Sequence, residues 1–503
     1  MVEEGACLPT GTTDGGLNRR ELLVTSSLAA VAGRSTAAGV AGVLAAVAGT
    51  APAEAAADRP HILFILADDL GWKDVGFHGS DIETPHLDAL AETGARLESF
   101  YAQPMCTPTR AALMTGRYPL RYGLQTGVIL SAGTYGLATD EWLLPQALRE
   151  AGYSTAIVGK WHLGHADRAF WPHERGFDHA YSPLIGEIDH FDHTAHGVTD
   201  WYRNGEVVEE EGYDTTLFGA EAVRLIDGHD TASPLFLYLA FTAPHTPFQA
   251  PQAYLDRYAH IADGERRAYA TMITAMDEEI GRVVEALERA GMRENTLIVF
   301  SSDNGGTRDK MFAGEGAVSG ELPADNVPYR GGKGSLYEGG TRVVALANWP
   351  GRIAPGVVDG MMHMVDMYPT LAALAGADTS PSKPLDGMDV WLTLSRNDPS
   401  PRVEVVHNVE PYRGAVRQGD WKVVWLSLLP PSVELFDLAD DPSEAQNQAA
   451  ISPAVAEELQ ARIVELAGEA APALFISETL RIGLSGKPAF PDGNLANIGA
   501  YQD

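Results

Sequence analysis

The sequence has almost no cysteine: Cys7 and Cys106 are the only two in 503 residues. Cys7 falls in a segment expected to be removed, so the working chain would hold one thiol and no internal disulfide. In a chain read as exported, an unpaired thiol calls for a reason. Basic residues are also scarce: 36 Lys and Arg against 68 Asp and Glu leave a formal charge of −32. That excludes a nucleic-acid binder, which needs a basic face. It also sets a condition. If the substrate is an anion, the site must hold local positive charge strong enough to override the field of the whole molecule. Beyond the N-terminal segment there is no run of about 18 uninterrupted apolar residues, so no stable membrane anchor is expected. Internal repeats, collagen-like periodicity and coiled-coil heptads are absent as well.

The N-terminus supplies the export argument. Arg19-Arg20-Glu21-Leu22-Leu23 opens a stretch rich in Ala, Val, Gly and Leu that runs to about residue 57. Residues 51–57, Ala-Pro-Ala-Glu-Ala-Ala-Ala, resemble a signal-peptidase site. A twin arginine before a weakly apolar region resembles a twin-arginine export signal, which implies a periplasmic or secreted protein. The competing reading is a membrane span. Arg34 interrupts the run, and Gly, Ser and Thr dilute it, so the cleaved signal is preferred.

From residue 59 onward the pattern is α/β. Residues 61–66, 154–158, 235–240 and 296–300 are continuous apolar runs without polar alternation, the mark of strands buried on both faces. Helical patterns lie between them, at 141–151 and at 264–290, where Met272, Met276, Ile280, Val283, Val284 and Leu287 share one face. This predicts a large mixed, mostly parallel sheet flanked by helices. The pattern changes near residue 395. Short strand-like runs follow at 403–407, 414–418, 421–426 and 433–436, then a helix at 453–468. That predicts a smaller antiparallel sheet with a helix. The organisation is therefore 1–57 export signal, 58–395 larger α/β domain, and 396–503 smaller unit, with the last 25 residues irregular.

Each buried run ends in reactive side chains: Asp68-Asp69, Lys160 with His162, His245, and Asp303-Asn304-Gly305-Gly306. In open α/β sheets, ligands bind at the carboxyl ends of the strands. Asp68, Asp69, Asp303 and Asn304 on one rim would repel one another without a cation among them. An all-oxygen set favours Ca²⁺ or Mg²⁺ over zinc. Each pair alone would read as an ordinary turn. Cys106-Thr107-Pro108-Thr109-Arg110 opens a helix in which Pro108 fits the first turn. Cys106 then stands at a helix N-terminus, where a lowered thiol pKa is expected. A second cluster, Asp189, His190, Asp192, His193 and His196, reads either as a second metal site or as a polar loop at the pocket mouth, with the loop preferred.

Here the chain resembles a family, the type I sulfatases of the alkaline phosphatase superfamily. Cys106-Thr107-Pro108-Thr109-Arg110 matches their Cys-x-Pro-x-Arg signature, which a dedicated enzyme reads to convert the cysteine to formylglycine. Gly159-Lys160-Trp161-His162-Leu163-Gly164 and Gly116-Arg117-Tyr118-Pro119 match further motifs. Segments 121–125, 333–342 and 384–391 look most like the arylsulfatase B branch, which acts on N-acetylgalactosamine 4-sulfate. The resemblance runs from about residue 59 to about 449. It implies hydrolysis of sulfate esters of small molecules or saccharides. Asp68, Asp69, Asp303 and Asn304 match the calcium ligands, with calcium ahead of magnesium, and the formylglycine made from Cys106 also touches the metal. Arg110 and Lys160 would hold the formylglycine and the sulfate. His162 would assist in regenerating the aldehyde. His245 and Lys333 would bind sulfate, with His245 giving a proton to the leaving oxygen.

The implied chemistry is consistent. A hydrated formylglycine carries two hydroxyls on one carbon; one attacks sulfur, and deprotonation of the other expels sulfate and restores the aldehyde. A serine would perform the first step and not the second. Arg110, Lys160 and Lys333, with the cation, would be the local positive field that an acidic protein requires. Alternatives are a phosphonate or phosphate diester hydrolase of the same superfamily and a non-catalytic binder of sulfated glycans.

Overall fold

The computed structural model describes residues 59–312, 321–427 and 430–485. The expected export signal lies outside the described residues. Among them, no helix is long and apolar enough to cross a membrane.

The central sheet has ten strands. In chain order they are β1 (His61–Ala67), β2 (Ala95–Leu97), β3 (Ser154–Gly159), β4 (His179–Ser182), β5 (Tyr202–Arg203), β6 (Glu206–Val207), β7 (Leu235–Ala240), β8 (Thr296–Ser302), β9 (Ala345–Asn348) and β10 (Gly356–Val358). Their spatial order is β10-β2-β9-β8-β1-β7-β3-β4-β5-β6. The middle five, from β8 to β4, run parallel to one another. The four strands expected from continuous apolar runs are neighbours here; β7 matches its run, and β1, β3 and β8 extend one or two residues beyond theirs.

Burial on both faces explains those runs. Along β1, Ile62, Phe64 and Leu66 enter one core, while Leu63, Ile65 and Ala67 enter the other. The first core is completed by α1 (Cys106–Thr115) and α2 (Leu144–Glu150), through Leu113, Met114, Leu144 and Leu148. The second is completed by α3 (Asp214–Asp227) and α4 (Gly264–Arg289). On α4, Met272, Met276, Ile280, Val283 and Leu287 are fully packed, and Val284 is partly buried beside them. Asp263 caps α4 by accepting from the Arg266 N–H at 2.9 Å. The helix expected over 141–151 begins later, at Leu144, because Leu143 is extended and Pro145 sets the first turn. Glu141 instead meets Arg117 at 2.6 Å.

The C-terminal sheet is antiparallel in the order β11 (Glu404–Glu410), β12 (Arg413–Gln418), β13 (Trp421–Leu426), β14 (Ser432–Asp437). Val406, Val416, Val423 and Leu435 pack on Leu459, Ile463 and Leu466 of α5 (Pro453–Glu469). The same cluster includes Ala112 of α1. This sheet therefore braces the helix that carries Cys106. A fully buried charge cluster adds to the join: Lys422 Nζ lies 2.9 Å from both Glu338 Oε1 and Glu444 Oε1.

The last stretch differs from expectation. Residues 479–485 belong to a helix, α6 (Leu474–Ser485). Its order comes from docking. The Leu474 N–H donates to the Gly123 carbonyl at 2.9 Å, and Glu478 Oε1 accepts from the Thr134 N–H at 2.7 Å. Phe475 packs against Gly127, whose φ of +68° and lack of Cβ admit the ring.

Candidate active site

The parallel register brings the ends of β1, β7, β3 and β8 to one rim. Asp68 and Asp69 follow β1, Lys160 and His162 follow β3, His245 follows β7, and Asp303 and Asn304 follow β8. Cys106 joins them from the first turn of α1, after the extended Met105. The helix stops at Gly116, whose φ of 67° allows its N–H to close on the Ala112 carbonyl. Asp69 and His162 are non-glycine residues with positive φ, 68° and 57°. Such backbone persists where surrounding contacts over-determine it, commonly at functional sites.

The rim is dense with charge and almost fully buried. Asp68, Arg110, Lys160, Asp303 and Asn304 are fully buried, and Cys106 is 1% exposed. Cys106 Sγ is 3.4 Å from Asp68 Oδ1. Lys160 Nζ donates to Asp68 Oδ2 at 2.5 Å. Arg110 grips Asp303 Oδ2 through Nε at 3.2 Å and Nη2 at 2.9 Å. Its Nη1 donates to the Lys160 carbonyl at 2.9 Å. Lys333 Nζ donates to Asp69 Oδ2 at 2.7 Å, and His245 Nε2 lies 3.6 Å from the same oxygen.

Proton affinities follow from this crowding. Burial would raise Asp69, but Lys333 and His245 outweigh it and hold the carboxyl below the usual range. Burial, then Asp68, pushes Asp303 upward despite Arg110. Burial, followed by Asp303 and Asp68, pushes the Cys106 thiol upward as well. This corrects the expectation of a lowered thiol pKa: burial and two carboxylates outweigh the helix N-terminus. Burial and Lys333 take His245 down to about 4, with Asp69 opposing. Burial, Lys160 and Arg110 hold His162 well below its ordinary range.

Asp68, Asp69, Cys106 and His245 offer ligand atoms that all lie within 4.8 Å of one another. The Asn304 side chain donates to Asp69 Oδ1 at 2.7 Å, while its own Oδ1 is buried with no hydrogen-bond partner. An orphaned buried oxygen next to clustered carboxylates fits a hard cation. The residues present therefore suit calcium or magnesium.

The histidines are oriented by the backbone. His245 Nδ1 meets the Thr246 carbonyl at 2.7 Å, which leaves Nε2 as the exchangeable position. His162 Nε2 meets the Ile129 carbonyl at 3.1 Å, and Nδ1 is buried without a hydrogen-bond partner. Gly186 lies beneath this ring; a Cβ there would come within 2.2 Å of His162 Cε1. Every site residue expected from sequence is thus brought to one rim.

The second cluster is already engaged internally. His190 spans Asp214 Oδ2 at 2.8 Å and the His245 carbonyl at 3.2 Å. His193 stacks on Trp201 at 4.2 Å. Asp189 accepts from Gln249 and from the Phe191 and Asp192 N–H groups. His196 alone of the set lines the pocket above Cys106. The loop reading accounts for these contacts.

Sequence reasoning missed Thr307, whose hydroxyl donates to Asp69 Oδ2 at 2.7 Å. Its place just after Asp303-Asn304-Gly305-Gly306 was the available signal. It also missed Glu187, Thr479 and Ile482, which line the same pocket.

Comparison with known proteins shows the family. The protein family described as Sulfatase matches residues 60–377. Arylsulfatase J of Mus musculus is 39% identical over 393 residues, covering 76% of this chain and 64% of that protein. Arylsulfatase A of Homo sapiens is 36% identical over 396 residues, covering 73% and 75%. The crystal structure of Ps i-CgsB in complex with k-i-k-neocarrahexaose superposes with a TM-score of 0.76 at 33% identity, over 86% of this chain and 98% of that one.

Proposed function

The chain belongs to the sulfatase family, and from that premise we propose that it hydrolyses a sulfate ester, using a formylglycine formed from Cys106 beside a divalent cation. One observation carries the proposal. A buried cysteine opens a helix within reach of Asp68, among Lys160, Arg110 and Lys333, the cationic surroundings that a sulfate group needs. The match to 64% of arylsulfatase J supports the chemistry and leaves the ester itself to experiment.

Asp68, Asp69, Asp303 and Asn304 would hold the cation; an all-oxygen set suits calcium or magnesium, and the family resemblance puts calcium first. When bound, it neutralises charge on the sulfate oxygens and acidifies the nucleophile's hydroxyl. A formylglycine at position 106 would, once hydrated, supply one hydroxyl to displace the alcohol from sulfur and a second whose deprotonation would let the aldehyde reform as sulfate leaves. Lys160 and Arg110 stay fixed by Asp68, Asp303 and the backbone, and present their charge without reorganisation. Lys333 would bind sulfate from the Asp69 side. A bound sulfate ester adds negative charge beside His245 Nε2. That raises its proton affinity from about 4, the direction required of an acid for the leaving oxygen. His162 offers Nδ1 as the base that takes the proton of the second hydroxyl.

Maturation would need a formylglycine-generating enzyme acting on the segment from Cys106 to Arg110. Arg19-Arg20 and the run to residue 57 support export by a twin-arginine route to the periplasm or beyond, a route that carries folded protein.

The test joins mass and rate. Mass spectrometry of the Cys106 peptide should find the CH2SH side chain replaced by CHO. Turnover of 4-nitrophenyl sulfate should vanish in Cys106→Ala while circular dichroism stays unchanged. Full activity in that variant, or a higher kcat/KM on phenylphosphonate esters, overturns the proposal.

A further inference from the structure

The pocket above Cys106 has two chemically different ends. At the bottom is the charged rim. Above it is a cavity of about 480 Å³, bounded largely by Val128, Ile129, Leu130, Ile185, Phe312 and Ile482. That volume suits one ring-sized group and falls within the range of ordinary small-molecule pockets.

Charge is distributed as unevenly as polarity. Among the described lining residues, Lys333 is the one Lys or Arg, and its ammonium already contacts Asp69. Glu187 adds a carboxylate to the lining, and its field reaches His245. A neighbouring cleft of about 1190 Å³ does contain arginines and the exposed Lys310. Its arginines are committed, Arg308 to Glu321 and Arg413 to Glu410 at 2.7 Å, and Lys310 does not line the smaller pocket. A leaving alcohol with a second anionic group, held in the smaller pocket, would therefore meet Glu187 with no Lys or Arg but Lys333 among the described lining residues.

Part of the wall comes from the far end of the chain. Thr479 and Ile482 of α6 line the cavity. They are held there by specific contacts. Gln125 Nε2 donates to the Ala471 carbonyl at 2.9 Å, and Glu478 takes both the N–H and the hydroxyl of Thr134, at 2.7 and 3.0 Å. The loop that α6 clamps is continuous with Val128–Leu130, so helix and loop set the pocket width together.

We propose that α6 is a wall of the leaving-group pocket, and that Ile482 and Thr479 select a leaving alcohol that is uncharged and presents an apolar, ring-sized face. The inference rests on the sulfate-ester reading of the rim and adds the class of ester.

The test uses two esters, 4-nitrophenyl sulfate and the same ring bearing a carboxylate. Each is measured with the mature full chain and with Ile482→Lys. The ratio of kcat/KM for the neutral ester over the carboxylated one should favour the neutral ester in the wild type. It should fall by about tenfold in Ile482→Lys, with most of the change in KM. Intrinsic leaving-group acidity cancels between the two proteins. Thr479→Lys, at an exposed position, is the second variant should Ile482→Lys fail to fold, and it should move the ratio the same way. An unmoved ratio in a folded variant, or a wild type that favours the carboxylated ester, overturns the proposal while the sulfate-ester reading stands. No turnover of either ester by protein with a converted Cys106 overturns both.

Discussion

Asn304 points its amide nitrogen at Asp69 Oδ1, 2.7 Å away, and in doing so leaves its amide oxygen buried and unpartnered beside the carboxylates of the rim. A donor bond on one side and an idle acceptor on the other is how a side chain is held ready for a cation. Calcium should therefore raise the melting temperature, by an amount equivalent to about 2.7 kcal/mol at one hundred times Kd. Asn304→Ala should weaken calcium at least about tenfold. Thermal melts of EDTA-treated protein with and without calcium measure the first, and titration calorimetry measures the second. Equal affinity in the variant, or no calcium response in the wild type, would show that the oxygen serves some other purpose.

The Gly186 backbone leaves just enough room for the His162 ring. In Gly186→Ala the new methyl would lie within 2.2 Å of Cε1, so the ring must move. Displacement of a proton-transfer group by about 1 Å costs on the order of 100-fold in rate. The expected result is a fall in kcat of that size with calcium affinity unchanged. A variant with wild-type kcat would mean that His162 takes no part in turnover.

His61 gives a pH prediction away from the rim. Burial, with His229 nearby, takes it from its ordinary 6.5 down to about 4, and its Nδ1 accepts from the Leu235 N–H at 3.0 Å. Between those values the unfolded chain binds a proton that the folded one refuses, so stability rises with pH across that window and levels off above it. Melting temperatures from pH 4 to pH 7 should climb less steeply in His61→Gln than in the wild type. Parallel curves would exclude His61 as the source of the slope.

Lys422 sits between Glu338 and Glu444, all three buried beneath the C-terminal sheet. Lys422→Met leaves Glu444 without its cation and Glu338 with Arg342 at 3.5 Å, and should cost about 3–5 kcal/mol. Urea denaturation of the two proteins measures it. A loss below about 1 kcal/mol would mean that the cluster relaxes or admits water.

What the sequence disclosed, and what it concealed, follows from the range of the forces involved. β1, β3, β7 and β8 were legible because burial on both faces leaves an unbroken apolar run, and the reactive pairs stand directly after each run. The rim was legible for the same reason, since a parallel sheet puts all carboxyl ends on one side. The thiol of Cys106 was misjudged because its proton affinity is set by Asp68 and Asp303, which are distant in sequence. Helix α6 was missed because its stability comes from Gly123, Gly127 and Thr134, and little of that is written in residues 474–485 themselves.

Helix α6 contributes none of the rim's carboxylates, cations or histidines, yet it borders the space that the rim serves. In the proposed reading, reactivity and choice of ester thus belong to separate segments of the chain, residues 68–333 and Leu474–Ser485. Drift in the last described helix would then redirect the protein toward a new ester in small steps and leave the rim untouched by the search.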